Sequence, residues 1–133
     1  MDVYVSLKGW VELDHTALPE LLALLKRSVE AAADHGLTKQ AALSISNGWH
    51  VPRGAAGRSH FVFFGAELRA DHLPFVRAQV EAVARLRPAD EGAGYPAGLF
   101  HLDPHDGSGA AAEVWRCRPG AFEARAPGDA PAR

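Results

Sequence analysis

The segment His101-Leu102-Asp103-Pro104-His105-Asp106 holds the densest group of potential metal ligands in the sequence. Zinc and iron sites need three or more converging imidazole, thiolate or carboxylate ligands, and His101, Asp103 and His105 are the candidates. Strand alternation would place His101 and Asp103 on one face, but Pro104 then redirects the chain. No second cluster has metal-site spacing. We therefore interpret the segment as a strand end and a polar turn, and we predict neither a metal nor a cofactor.

Three histidines, His50, His60 and His101, are candidates for acid–base chemistry in a small enzyme. His60 and His101 could act together only if their strands pair suitably, because a general base needs the right geometry before the right pKa. No nucleophile elbow accompanies them, and the basic loop 51–58 lacks the spacing of a phosphate-binding loop. That loop could still hold an anion, although it is typical of a solvated connection. Catalysis is therefore an alternative and not the leading hypothesis.

Cys117 lies between two arginines, Arg116 and Arg118, whose charges would lower the pKa of a neighbouring thiol. On a strand, however, adjacent side chains point to opposite faces, so both arginines leave the side of the cysteine. We predict a small buried apolar residue. As the single cysteine of the chain, Cys117 excludes an internal disulfide and favours a reducing cytoplasm.

Aromatic residues recur along two predicted strands. Val3-Tyr4-Val5 and Phe61-Val62-Phe63-Phe64 resemble the two aromatic strand motifs of RNA-recognition (RRM) domains. The resemblance implies rings that stack on the bases of single-stranded RNA. Ser59 stands where that family has another aromatic residue, and the formal net charge of −2 gives no general attraction to nucleic acid. RNA binding is a second alternative, and nucleic acid is not the partner we expect.

Hydrophobic periodicity predicts the elements that position these residues. Asp2–Leu13 alternates as a long strand, in which Gly9 marks a bulge or bend. A helix follows, with Thr16 as its N-cap and Gly36 just after its end. The later elements are a strand at Gln40–Ser46, a central strand at Ser59–Leu68, a helix at Asp71–Arg87, a strand at Gly98–Asp103 and an edge strand at Ala112–Arg118.

An internal repeat indicates the fold class. The spacing from Glu12-Leu13 to Leu18-Pro19 recurs from Glu67-Leu68 to Leu73-Pro74, and the two proposed N-caps, Thr16 and Asp71, then coincide. Two strand–helix units with a strand between them predict an α+β fold of the β-α-β-β-α-β, or ferredoxin-like, type. Its antiparallel sheet would have four or five strands and two helices on one face. We expect one domain over residues 1–125 and a frayed tail over 126–133.

The chain gives no sign of a membrane or export address. No apolar run approaches the roughly 20 residues that span a bilayer. The N-terminal residues lack the basic and apolar regions of a signal peptide, so we expect a cytoplasmic protein without a membrane partner.

The repeat also assigns the two faces of the sheet. If Glu12 points away from the helices, then so do Tyr4, Trp10, Phe61 and Phe63. An exposed aromatic patch usually marks a binding surface. We therefore predict a non-enzymatic interaction module that binds a protein partner or a second copy through these four rings. An inhibitor or immunity-type protein would fit that description.

Overall fold

A computed structural model describes residues 3–52, 57, 59–87, 94–105 and 111–128, and within this part of the chain six strands form one antiparallel sheet. The strands are β1 Tyr4–Asp14, β2 Trp49–His50, β3 Ser59–Arg69, β4 Ala97–Pro104, β5 Glu113–Arg118 and β6 Ala121–Arg125. Their order across the sheet is β2-β3-β1-β4-β5-β6. The helices are α1 Leu18–Glu30, α2 Lys39–Ser46 and α3 Leu73–Ala84. The prediction of an α+β fold with an antiparallel sheet is confirmed.

The internal repeat is present in the structure. β1 and β3 are both 11 residues long, each runs into a three-residue 3₁₀ turn, and a helix with proline in its first turn follows each. The predicted N-caps were wrong. Asp14 caps the first turn, because its carboxylate accepts from both the backbone N–H and the hydroxyl of Thr16. Asp71 lies inside the second turn and binds the Arg69 guanidinium at 3.1 and 3.2 Å.

The first helix ends earlier than predicted. α1 stops at Glu30, and a 3₁₀ turn at Ala32–His35 carries the chain to Gly36. Gly36 has a φ of 73°, the left-handed conformation that glycine adopts without steric cost. The glycine therefore ends the turn and not the α-helix.

The strand predicted over Gln40–Ser46 is helix α2. Thr38 caps it, since its hydroxyl oxygen accepts from the Ala41 N–H at 3.1 Å. Ala42 and Ile45 are buried three residues apart, whereas Leu43 is 55% exposed. The second strand of the predicted order is reduced to Trp49–His50, which pairs with Phe64 and Phe63 of β3.

The far side of the sheet is wider than predicted. β4 continues through Pro104, and the backbone N–H of His105 still donates to the Tyr4 carbonyl, so the proline does not redirect the chain. β5 is an interior strand, because the unpredicted strand β6 pairs with it and forms the edge. Gly120, with a φ of 72°, makes the tight turn between them.

The pairing of β1 is uninterrupted on both sides, so Gly9 does not form a bulge. A Cβ atom at Gly9 would lie 2.3 Å from the Leu99 carbonyl oxygen, and one at Gly98 would lie 2.4 Å from the Trp10 carbonyl oxygen. Both glycines therefore permit a close approach of β1 and β4 that no other residue allows.

The helices cover one face of the sheet. Alternate strand residues pack beneath them, among them Val5, Leu7, Val11, Leu13, Val62, Phe64, Leu68, Phe100, Leu102 and Trp115. The Gln79 amide joins the helices to β2: it accepts from Trp49 Nε1 at 3.1 Å and donates to the hydroxyls of Ser28 and Ser46 at 2.8 and 3.0 Å. At the other end, the Arg77 guanidinium lies 5.9 and 5.5 Å from the ring centroids of Trp115 and Phe122. Both ends of the sheet are thereby fixed to the helix layer.

Candidate interaction surface

The face of the sheet turned away from the helices, called the open face below, displays the four aromatic residues that the alternation assigns to it. Tyr4 is 36% exposed, Trp10 37%, Phe61 45% and Phe63 50%. Their strand neighbours Val5, Val11, Val62 and Phe64 are buried beneath the helices. Among the described residues, the other large hydrophobic side chains with comparable exposure are Leu22 and Leu43 on the helices. Most of the exposed large apolar surface therefore lies on the open face.

Three of the four rings form one contiguous cluster. Trp10 lies directly opposite Phe63 on β3, and its ring centroid is 5.9 Å from that of Phe61 with an interplanar angle of 56°. On its other side Trp10 lies opposite Leu99 of β4. Trp10, Phe61, Phe63 and Leu99 are called the open-face cluster. The sequence reasoning missed Leu99, although the alternation of Leu99 with Phe100 carries the signal.

Tyr4 does not belong to this cluster. It lies opposite Arg69, six residues along β1 from Trp10, which corresponds to about 20 Å at about 3.3 Å per residue. The strand motifs that resemble an RRM domain therefore do not bring Tyr4 next to Phe61 and Phe63. Trp10 is the ring of β1 that adjoins them.

Charged residues of both signs surround the cluster on the open face. Lys8 lies 3.6 Å from Asp103 in an exposed ion pair, which contributes little to stability. Arg125 is paired with Glu123 on the edge strand. The remaining charged residues that the strand registers place on this face are Glu12, Glu67, Arg69, Arg116 and Arg118. Positive and negative charges are therefore interspersed around an apolar centre.

The candidate catalytic histidines lie on different faces of the sheet. His60 is 8% exposed and lies opposite Leu13 on the helix side, and its Nδ1 atom has no hydrogen-bond partner among the described residues. His101 is exposed on the open face opposite Lys8, and His50 is exposed opposite Phe63. The sheet therefore separates His60 from His50 and His101, so His60 and His101 do not lie side by side. Residues 53–56 and 58 of the basic loop lie outside the described residues.

The three candidate metal ligands share the open face, and two of them have other partners. Asp103 is paired with Lys8, and His105 Nε2 is 3.1 Å from the Ser6 hydroxyl. No group of three or more potential ligands converges within the described ranges. Asp106, at the end of that segment, is outside them. The arrangement is that of a strand surface with local hydrogen bonds.

Cys117 is buried among the core residues, while Arg116 and Arg118 are exposed, as the alternation predicts. Burial raises the pKa of the Cys117 thiol to about 12, because the core disfavours the thiolate. A thiol that stays protonated at neutral pH is a poor nucleophile. Cys117 is therefore a packing residue.

Shallow clefts lie in the described part of the helix layer. One of about 330 Å³ lies between α1 and α3, and one of about 370 Å³ lies between α1 and α2.

No helix in the described part of the chain is long and apolar enough to cross a membrane.

Comparison with known proteins supplies no template for this surface: no family model, curated protein or solved structure matches the chain. Its function must therefore be inferred from its own geometry.

Proposed function

We propose that this chain is a protein-binding module whose open face pairs with the open face of a second copy. The observation that supports this proposal is the open-face cluster, in which three aromatic rings lie together on a surface that no other element covers among the described residues. Aromatic side chains lose little conformational entropy when they are buried, and they dominate the energy of protein interfaces.

The size of the face favours a partner that is itself flat. Strands β3, β1, β4, β5 and β6 present a surface of about 24 Å by 25 Å, estimated from usual strand spacing and rise. Two such faces would bury about 1,200 Å² together, which is the lower limit for a stable interface. A small ligand would leave most of this area and most of the cluster in water.

The charges of the face also suit a second copy. Lys8, Arg69, Arg116, Arg118 and Arg125 are interspersed with Glu12, Glu67, Asp103 and Glu123, and several of them are already paired within the chain. A face of mixed sign does not repel its own copy, whereas a strongly cationic face would favour nucleic acid. In a twofold-symmetric dimer the two clusters would meet near the axis.

We further propose that β1 to β4 and the helices form a ferredoxin-like unit that the β5–β6 hairpin extends. β3 lies between β1 and β2, and β1 lies between β3 and β4, so each strand–helix–strand unit is split by one inserted strand. A free buried cysteine fits a reducing cytoplasm as the site of action.

Matched alanine variants test the assignment of the surface. Trp10→Ala should convert the self-associated protein to monomer in sedimentation velocity, because it removes the ring that joins β3 to β4. Leu22→Ala removes an apolar side chain of even higher exposure from the helix layer and should leave association unchanged. Equal effects of the two variants would overturn the proposal. If the wild-type protein is monomeric and binds a different protein through Trp10, then the partner is that protein and not a second copy, as for an inhibitor or immunity-type protein.

A further inference from the structure

The cleft between α1 and α3 results from small side chains where the two helices face each other. Ala78 and Ala82 lie one turn apart on α3, and Ala31 directly follows the last residue of α1. Small side chains therefore face one another where larger ones would fill the space between the helices. Phe75 and Leu24, both buried, contribute apolar walls. The resulting hollow of about 330 Å³ is at the lower end of the range for small-molecule sites.

The floor of the cleft is rigid and polar at one point. Gln79 is 1% exposed, and its amide is held by Trp49, Ser28 and Ser46. Ser28 in turn donates to the Leu25 carbonyl at 2.7 Å. Because these groups already satisfy one another, the floor requires no hydrogen bond from a ligand.

An arginine and a histidine, Arg27 and His35, are among the residues that line the cleft. Arg27 has no ion-pair partner among the described residues, and the exposed His35 ring packs against the Phe75 ring with centroids 5.8 Å apart. No carboxylate is among the described lining residues. Ser28 contacts Gln79 while His35 contacts Phe75, so α1 and α3 run antiparallel and their dipoles largely cancel. The Arg27 guanidinium therefore sets the sign of the potential in the cleft.

We propose that this cleft binds a small aromatic carboxylate. The planar ring would lie between Phe75 and the three alanines, and the carboxylate would accept from the Arg27 guanidinium and from a ring N–H of His35. The apolar lining disfavours a fully hydrated ion such as inorganic phosphate. Because no carboxylate is among the lining residues that the structure describes, an amine is disfavoured. This site is on the helix layer and is independent of the open face.

An amide NMR titration with naphthoate tests the proposal. A ligand of this size should bind with a Kd on the order of 1 mM. The amides of Ser28, Ala31, Ala78 and Ala82 should shift in a saturable manner. Naphthylmethanol, which keeps the rings but lacks the charge, should bind at least about threefold more weakly, because it forms no charge-assisted hydrogen bond.

Variants separate this site from general adsorption. Arg27→Gln should weaken naphthoate binding about three- to tenfold and leave naphthylmethanol binding unchanged. Lys26→Gln removes a positive charge from the neighbouring residue of α1. Lys26 lines the other cleft, so this substitution should leave naphthoate binding unchanged. Ala78→Leu should fill the hollow and abolish the binding of both compounds. Absence of saturable shifts, shifts confined to the open-face cluster, or equal losses in the Lys26 and Arg27 variants would refute the proposal.

Discussion

Phe63→Thr should weaken self-association far more than it weakens the fold. Phe63 is 50% exposed on the open face, and a phenylalanine has about 200 Å² of surface, so about 100 Å² is free for burial against a partner. At about 25 cal/mol per Å² this corresponds to about 2.5 kcal/mol per copy, or about 5 kcal/mol for the two copies of a symmetric dimer. Because association also immobilises side chains, the measured loss should lie between about 1.4 and 5 kcal/mol, at least a tenfold rise in Kd.

Threonine is the informative replacement because it retains a high β-strand propensity. The monomer should therefore lose no more than about 1 kcal/mol of unfolding free energy. Sedimentation equilibrium gives the dimer Kd, and urea unfolding at a concentration below that Kd gives the stability of the monomer. The substitution Leu43→Thr, at a helix residue of similar exposure, is the matched control for loss of an exposed apolar side chain. A Kd unchanged by Phe63→Thr in a folded protein would refute the assignment of the open-face cluster.

Three further predictions concern the fold. Gly9→Ala should lower the unfolding free energy by about 1–3 kcal/mol in urea titrations, because its Cβ would clash with the Leu99 carbonyl. The control is Gly65→Ala on β3, whose Cβ meets no atom within 4 Å and which should leave the unfolding free energy unchanged. Equal effects of the two substitutions would contradict the close approach of β1 and β4. Gln79→Leu should destabilise the protein by about 2–4 kcal/mol and alter Trp49 fluorescence, because it leaves the indole N–H unpaired and removes the donor to the Ser28 and Ser46 hydroxyl oxygens. A loss below about 1 kcal/mol would show that water replaces the amide. Burial raises the pKa of the Cys117 thiol in the folded state from 9.0 to about 12, so above pH 9 the unfolded chain binds fewer protons than the folded chain and the unfolding free energy falls by about 1.4 kcal/mol per pH unit. Cys117→Ala should remove this slope from the pH dependence of urea unfolding. An unaltered slope would assign it to other groups.

The parts of the fold that the sequence predicts well are those with long, regular periodicity. β1 and β3 each alternate over 11 residues, and the repeated strand–turn–helix junction reinforces both assignments. The alternation of β1 assigns the faces of Tyr4 and Trp10, and the internal repeat extends that assignment to Phe61 and Phe63, because a shift of one residue would reverse the faces of all of them together. The open-face cluster was therefore largely predictable, apart from the contribution of Leu99.

Short segments were not predictable to the same degree. The seven residues from Gln40 to Ser46 alternate as a strand would, yet the same residues place Ala42 and Ile45 on one side of a helix, and so few positions do not separate the two periods. In the structure the helix is favoured by the Thr38 cap, whose hydroxyl oxygen accepts from the Ala41 N–H. β6 was missed because the segment from Pro119 onward is rich in alanine, proline and arginine, and no element was assigned to it. The stability of β6 comes from pairing with β5 and from Phe122 packing against Trp115.

The separation of Tyr4 from Phe61 depends on strand register, which alternation alone does not give. Alternation assigns a side chain to a face but not to a position along the neighbouring strand. The antiparallel pairing of β1 with β3 places Tyr4 opposite Arg69 and brings Trp10 to Phe63. Strand register, and not exposure, therefore separates Tyr4 from Phe61.

The mass of the unmodified chain in solution tests the central claim most directly. Light scattering across a micromolar concentration series should show a rise from the monomer mass of 14.2 kDa to twice that value, with no larger species. A mass that stays at 14.2 kDa throughout the series would contradict pairing of the open face with a second copy.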